Sequence, residues 1–429
     1  MALDSHCADV DDLLRFVDAS PSPWHAGEVM RGRLIAAGSV ELSESDAAWC
    51  VEPGGRYFVR RGESSVIAFH VGQRPDCTGF RMVAGHTDSP GFRVKPSGGR
   101  CQGGHAVVGA EVYGGPITAT FSDRDLTLAG RVFTESEGGT ESTLVHANEP
   151  LLRLPNAAIH LNRSVNTDGL RYDMQSELGF VFGRTPDDAS EPVTAWLGDR
   201  LDTPRESILG WDLAVADTQP GCRFGPGNEY IANGQLDNLA SCHAGLNAFL
   251  AVDDPDGIAV FAAFDHEEIG SETYKGAASP FLQDVIARVC DALDITKYRA
   301  LADSMLLSVD MTHAWHPLFT SYYDEANAPL VNRGPAIKIN AKQRYASDAA
   351  GEAYFASLCD RAGVPVQRYI HHGNIPCGTT IGPLVAARLG VPTIDIGNPM
   401  WAMHSARESA GTQDHGFMTR VLRAFYRND

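Results

Sequence analysis

The most constraining stretch of this 429-residue chain is Ile258-Ala-Val-Phe-Ala-Ala-Phe264, seven apolar residues followed at once by Asp265-His266-Glu267-Glu268. A strand with one wet face alternates apolar and polar side chains, so a run that is apolar at every position must be covered on both faces. Its length is that of a buried strand, far short of the roughly 20 residues needed to cross a membrane. Two adjacent carboxylates directly after such a run lie near the core, where an unpaired charge is costly. The chain is thus expected to build a doubly covered sheet and to concentrate charge at one end of it.

Other segments fit that plan. Residues 66–71, 80–84, 305–309 and 391–396 read as short buried strands. Leu239, Cys242, Leu246, Phe249 and Leu250 recur at helical spacing, and 348–362, 383–389 and 414–426 read as further helices. The first 40 residues read as helical, with Leu13, Leu14, Phe16 and Val17 on one side and a break over 20–24. Alternation of strands and helices is the signature of an α/β fold with a mostly parallel sheet. Between Phe92 and Ile231 the texture changes. Gly is dense there, and Ile117-Thr-Ala-Thr-Phe121 and Leu126-Thr-Leu128 alternate apolar with polar, which predicts antiparallel strands. The expected organisation is a discontinuous α/β domain, 1–91 with 232–429, interrupted by a β-rich insertion over 92–231.

Composition removes several classes of function. With 35 Lys plus Arg against 54 Asp plus Glu, the net charge is −19, which argues against a nucleic-acid or anionic-membrane partner. An apolar fraction of 43% excludes general disorder. Nine cysteines, odd in number and without a C-x-x-C pair, predict neither a disulfide framework nor a thiolate zinc site. The N-terminus has no basic region followed by an apolar core, so the expectation is a reduced, cytoplasmic protein.

In open α/β sheets ligands bind beyond the carboxyl ends of the strands. Those ends deliver His86 and Asp88, then Asp265 to Glu268, then Asp310, and His404 after the last predicted strand; Asp237 opens the helix before Ile258. Singly each is weak, since Asp237 would serve as a helix cap and a lone His is more often structural. Together, two imidazoles and three carboxylates can give each of two metal ions one His, one carboxylate and a share of a bridging Asp. A spare Glu remains to take a proton from a water held between ions roughly 3.5–4 Å apart. Asp88 is placed to accept the far ring N–H of His86. His313-Ala-Trp-His316 and His371-His372 lack the H-E-x-x-H spacing and read as loop or core residues. Cys377 suggests a thiol hydrolase only weakly, and no G-x-S-x-G elbow nominates a serine.

At this point a resemblance enters. Gly85-His-Thr-Asp-Ser-Pro90, Gln235-Leu-Asp-Asn238, Asp265-His-Glu-Glu-Ile-Gly-Ser271, Ser308-Val-Asp310 and Met403-His-Ser405 together resemble the aspartyl aminopeptidase family of metallopeptidases, bacterial members above all. Supporting matches at Glu111 to Gly115, Asp123 to Val132, Asn340 to Tyr345 and Cys377 to Pro383 extend the likeness over nearly the whole chain. The resemblance implies an α/β dizinc peptidase domain with an inserted β-rich dimerisation domain, and homo-oligomers built from dimers, up to dodecamers. It implies two Zn2+ per subunit, with Co2+ or Mn2+ as substitutes, held by His86, Asp237, Glu268, Asp310 and His404. Asp237 would bridge, and the division of the other ligands between the metals stays open. Glu267 would be the general base and Asp88 the orienter of His86. Lys338 and Tyr345 match positions that contact an acidic substrate side chain, and His160 matches a histidine that reaches a neighbouring subunit's site. Two departures stand out: Pro116 and its neighbours where the family has another Gly and tryptophans, and Ile339 where a His is common. The expected activity is removal of N-terminal residues from peptides, with preference for Asp or Glu. The alternatives are a broader aminopeptidase, dipeptidase or deacylase, a non-catalytic scaffold, and a cysteine hydrolase using Cys377.

Overall fold

The computed structural model describes residues 2–75, 79–185 and 191–428. Its centre is a nine-stranded sheet. In chain order the strands are β1 (Val40–Glu41), β2 (Arg56–Arg61), β3 (Ser65–Val71), β4 (Phe80–His86), β5 (Ile258–Phe264), β6 (Met305–Val309), β7 (Ala336–Ile339), β8 (Gln367–Ile370) and β9 (Thr393–Gly397). They lie in the order β1-β2-β3-β5-β4-β6-β9-β7-β8. The four middle strands β5, β4, β6 and β9 are mutually parallel, while β3 and β7 join them antiparallel. The sheet is therefore parallel where the site forms and mixed at its flanks.

The apolar run of β5 serves two cores at once. Ala259, Phe261 and Ala263 face one side with Leu239, Leu246, Phe355, Val421 and Phe425 from helices Leu236–Leu250, Ala349–Arg361 and Thr412–Arg427. Ile258, Val260, Ala262 and Phe264 face the other, against Phe281, Val285, Ile381 and Val385 from helices Phe281–Ala292 and Ile381–Leu389. Each fully buried Val, Ile or Phe contributes about 1.5–3 kcal/mol by leaving water. Register then decides what emerges at the edge: Phe264 pairs with His86 and Ala263 with Gly85, so the residues after both strands start at one level.

A second sheet is antiparallel throughout, in the order Gly179–Arg184, His105–Tyr113, Gly91–Val94, Ile208–Asp217, Leu126–Ser136, Gly139–His146. It has its own core of Phe92, Val108, Leu128, Phe180 and Leu213, roofed by Val193 and Leu197 of helix Pro192–Leu201. The predicted strand over 117–121 is not one: Thr118–Phe121 is a 3-10 turn. Pro116 has no N–H to give a ladder, the Ile117 N–H goes to the His404 carbonyl at 2.9 Å, and the Ile117 carbonyl is taken by the Thr120 N–H and hydroxyl. A third, five-stranded sheet joins Cys222–Phe224, Tyr230–Asn233, Glu408–Gly411, Pro399–Trp401 and Thr312–His313. Among the described residues no helix is long and apolar enough to cross a membrane.

Candidate active site

The parallel strands bring the scattered candidates together. His86 ends β4 and is almost fully buried. Its Nε2 lies 3.5 Å from Asp237 Oδ1 and 3.6 Å from Asp310 Oδ1. The Nε2 of His404 lies 3.5 Å from the other oxygen of Asp237 and 3.4 Å from Glu268 Oε1. The two imidazoles thus face the two oxygens of one carboxylate. Asp237 does not cap its helix: its ψ of 105° is non-helical, Gln235 occupies the cap position, and its carboxylate points at the imidazoles.

Two further carboxylates fix these groups from behind. Asp88 accepts the backbone N–H groups of Glu267 (3.0 Å) and Glu268 (3.1 Å) and the Tyr113 hydroxyl (2.7 Å). The His86 Nδ1 is 3.0 Å from the Asp88 main-chain carbonyl and 3.4 Å from its carboxylate, so the expected orienting contact runs chiefly through the backbone. The turn Glu267–Ile269 is entered by His266 and left by Gly270, both left-handed, which lets both glutamates turn back toward the sheet edge. Asp265 stays behind, paired with buried Lys275 at 2.6 Å and bonded to Ser64. On the opposite side Glu408 accepts the His404 N–H at 2.6 Å and the Asp237 N–H at 3.0 Å. His404 Nδ1 meets the Gly115 carbonyl at 3.0 Å, and left-handed Gly114 leaves space beside Glu268.

Charge in this cluster is strongly frustrated. Burial and then the repulsion of Asp310, Asp88 and Asp237 push Glu267 up to about 8, despite the opposing pull of His86. Burial and the nearby Asp237 carboxylate push Glu268 well above its usual range, and Glu408 up to about 8. Burial alone would lower His86, but Asp237, Asp310 and Asp88 outweigh it and hold the ring well above its ordinary value. Cations between these groups would relieve the repulsion. The donor set fits such ions: ligand atoms of His86, Asp237 and Glu268 lie within 4.8 Å of one another, and Asp237 Oδ1 is buried without a hydrogen-bond donor. One His and carboxylate oxygens around each position is a zinc-type donor set.

Lys338 is buried on β7, its Nζ 3.0 Å from Asp310 Oδ2 and 5.2 Å from the centre of the Tyr345 ring. His160 stands exposed on a turn of the antiparallel unit, outside the hydrogen bonds and ion pairs of this cluster. Cys377 packs against Tyr345 and Tyr369. Sequence reading passed over Glu408, gave Tyr113 and Gly115 no role beyond their place in a matching segment, and set aside His313. That histidine is half-buried and feels the charges of Lys338, His371, Asp237 and His404; loss of solvent above all presses its ring down to about 4. Its position three residues beyond Asp310 was the available signal.

A doubly covered parallel sheet whose strand ends gather two histidines around one shared carboxylate defines a metallohydrolase architecture. The family described as "Aminopeptidase I zinc metalloprotease (M18)" matches residues 16–426, and the chain belongs to it. A probable M18 family aminopeptidase 2 of Ectopseudomonas mendocina is 42% identical over 97% of both chains. One of Pseudomonas putida (strain KT2440) is likewise 42% identical over 97% of both. Among solved structures, a chain of an Ape4 and Nbr1 complex superposes with a TM-score of 0.94 at 35% identity, covering 99% of this chain and 86% of its own. Chaetomium thermophilum mApe1 superposes at 0.86 with 30% identity, covering 97% and 96%. The expected recognition and fold class hold, and the chain is a zinc-family aminopeptidase.

Proposed function

We propose that the protein removes N-terminal residues from peptides at a two-zinc centre, with preference for Asp and Glu. The observation that carries this reading is the shared carboxylate: each oxygen of Asp237 stands 3.5 Å from a different imidazole. The same distances support one division of the ligands. His86 with Asp310 would hold one ion, His404 with Glu268 the other, and Asp237 both. When bound, such ions lower the pKa of a shared water and polarise the scissile carbonyl. Glu267, beside these ligands on a turn pinned by Asp88, would accept the proton of the attacking water and return it to the leaving amine.

Lys338 and Tyr345 would receive the acidic side chain of the substrate, and His160 would reach the site of a neighbouring subunit. The antiparallel unit over 92–231 would form the dimer contact of a cytoplasmic homo-oligomer. A solved Saccharomyces cerevisiae relative, mApe1, is described as a dodecamer. Co2+ or Mn2+ would substitute for zinc. A second reading, a broader aminopeptidase, is favoured by one observation: Lys338 is already engaged with Asp310 at 3.0 Å.

Hydrolysis of Asp-, Glu-, Leu- and Lys-terminated peptides, before and after chelation and re-addition of zinc, cobalt or manganese, tests the reading. Acidic termini should lead. Equal rates on all four favour the broader enzyme, and inactivity with every metal sinks both.

A further inference from the structure

Asp88 and Glu408 occupy equivalent roles on opposite sides of the centre, yet only Asp88 carries a recognisable motif. Asp88 accepts two backbone N–H groups, those of Glu267 and Glu268, and so fixes the turn that presents both glutamates. Glu408 also accepts two, those of Asp237 and His404, and these two residues lie 167 positions apart in the chain. It is 1% exposed and stands in the small sheet directly opposite Asn233, four residues before Asp237. One carboxylate therefore ties the start of helix Leu236–Leu250 to the loop that carries His404.

The residue type follows from the geometry. Two N–H donors converge on one side chain from different segments. A carboxylate offers two acceptor oxygens, whereas Gln offers one and would turn its NH2 toward the second donor. The Asp237 N–H belongs to a non-helical stretch at the start of that helix, and Glu408 supplies its acceptor. A buried carboxylate with no cation bonded to it among the described residues is costly unless its two backbone donors offset that cost.

We propose that Glu408 is a positioning residue of the metal centre, acting through the backbones of Asp237 and His404 to hold the His404 position at coordinating distance from the shared carboxylate. It touches neither substrate nor metal; it sets where two ligands stand. This rests on the two-zinc reading above.

The test is zinc bound per chain, titrated against buffered free zinc, for wild type, Glu408→Gln and Glu408→Asp. Thermal unfolding of the chelated proteins serves as the control for the fold. In Glu408→Gln the zinc equivalent held by His404 should weaken by about 10–100-fold, and the other, which shares only Asp237, by clearly less. Turnover should fall in kcat rather than in KM. Unfolding of the metal-free variant should stay cooperative. Should Glu408→Gln fail to fold, Glu408→Asp carries the test, because the shorter carboxylate cannot reach both N–H groups and should show the same selective loss. Wild type that binds two equivalents beside a folded variant that binds both equally well overturns the proposal. Wild type that binds no zinc overturns the two-zinc reading instead.

Discussion

The two halves of the centre are built differently. His86 sits at the end of a central strand, its side chain 2% exposed, and its partner Asp310 is backed by buried Lys338. His404 lies on a loop in a left-handed conformation, its side chain 29% exposed. It is held at three points: its N–H by Glu408, its carbonyl by the Ile117 N–H and its ring by the Gly115 carbonyl. The first half inherits its geometry from sheet register. The second borrows it from contacts made by two distant segments. A ligand on a strand is placed by the core, whereas a ligand on a loop is only as well placed as its neighbours.

The largest expected effect removes a metal ligand from neither half. Glu267→Gln should lower kcat by about 10²–10⁴-fold while both metal equivalents stay bound, measured by metal analysis beside single-turnover rates. Next, His86→Ala should cost more than one equivalent and destabilise the fold, since it leaves Asp237 and Asp310 facing each other in the core. His404→Ala should lose a single equivalent and leave the unfolding temperature nearly unchanged. Equal losses from the two substitutions would erase the distinction.

Smaller effects probe the edges of each half. Lys338→Ala, in the half that holds His86, should reduce the preference for Glu- over Leu-terminated peptides by about tenfold in kcat/KM. An unchanged ratio removes Lys338 from specificity. Gly114→Ala acts on the His404 half. Its φ of +66° and a Cβ placed 3.1 Å from that of Glu268 predict about 1–2 kcal/mol of strain, read as a lower unfolding temperature.

The smallest effect is a pH dependence at the junction with the antiparallel unit, where the His25 ring lies 5.8 Å from that of His146. Burial, helped by the His146 charge, lowers His25 to about 4. The folded state thus prefers the neutral ring. Its contribution is complete above pH ~6.5 and is lost as pH falls through the window down to about 4. Replacement by Phe should flatten the dependence of unfolding temperature on pH across that window. An equally steep dependence would locate the acid sensitivity elsewhere, for example at His70, which burial also lowers to about 4.

The same contrast explains what could be read from the chain alone. β5 was legible because every one of its residues meets a core, so the apolar run had no other explanation, and the charge behind it had to be gathered. His86, Glu267, Glu268 and Asp310 follow such strands directly and were found for that reason. Segment 117–121 was misread because alternation also suits a short turn whose backbone bonds to a distant loop. Glu408 left no trace, since it acts on main-chain N–H groups far away in sequence, and Gly115, though inside a matching segment, was given no role, since its own carbonyl meets a distant ring. His313 was visible but discounted for want of a spacing rule, although a ligand candidate stood three residues before it.

The carbonyl of Gly115 resting on the His404 ring carries a practical lesson for anyone shrinking this protein to a minimal scaffold. Excising the inserted sheet would look harmless on a diagram, since its hydrophobic interior is separate and every proposed ligand lies outside it. The excision would nonetheless strip the Nδ1 of an imidazole of its acceptor, leaving only the Nε2 side of that ring to be held by Asp237 and Glu268. A cut-down version would need a replacement loop that restores one oxygen at that spot.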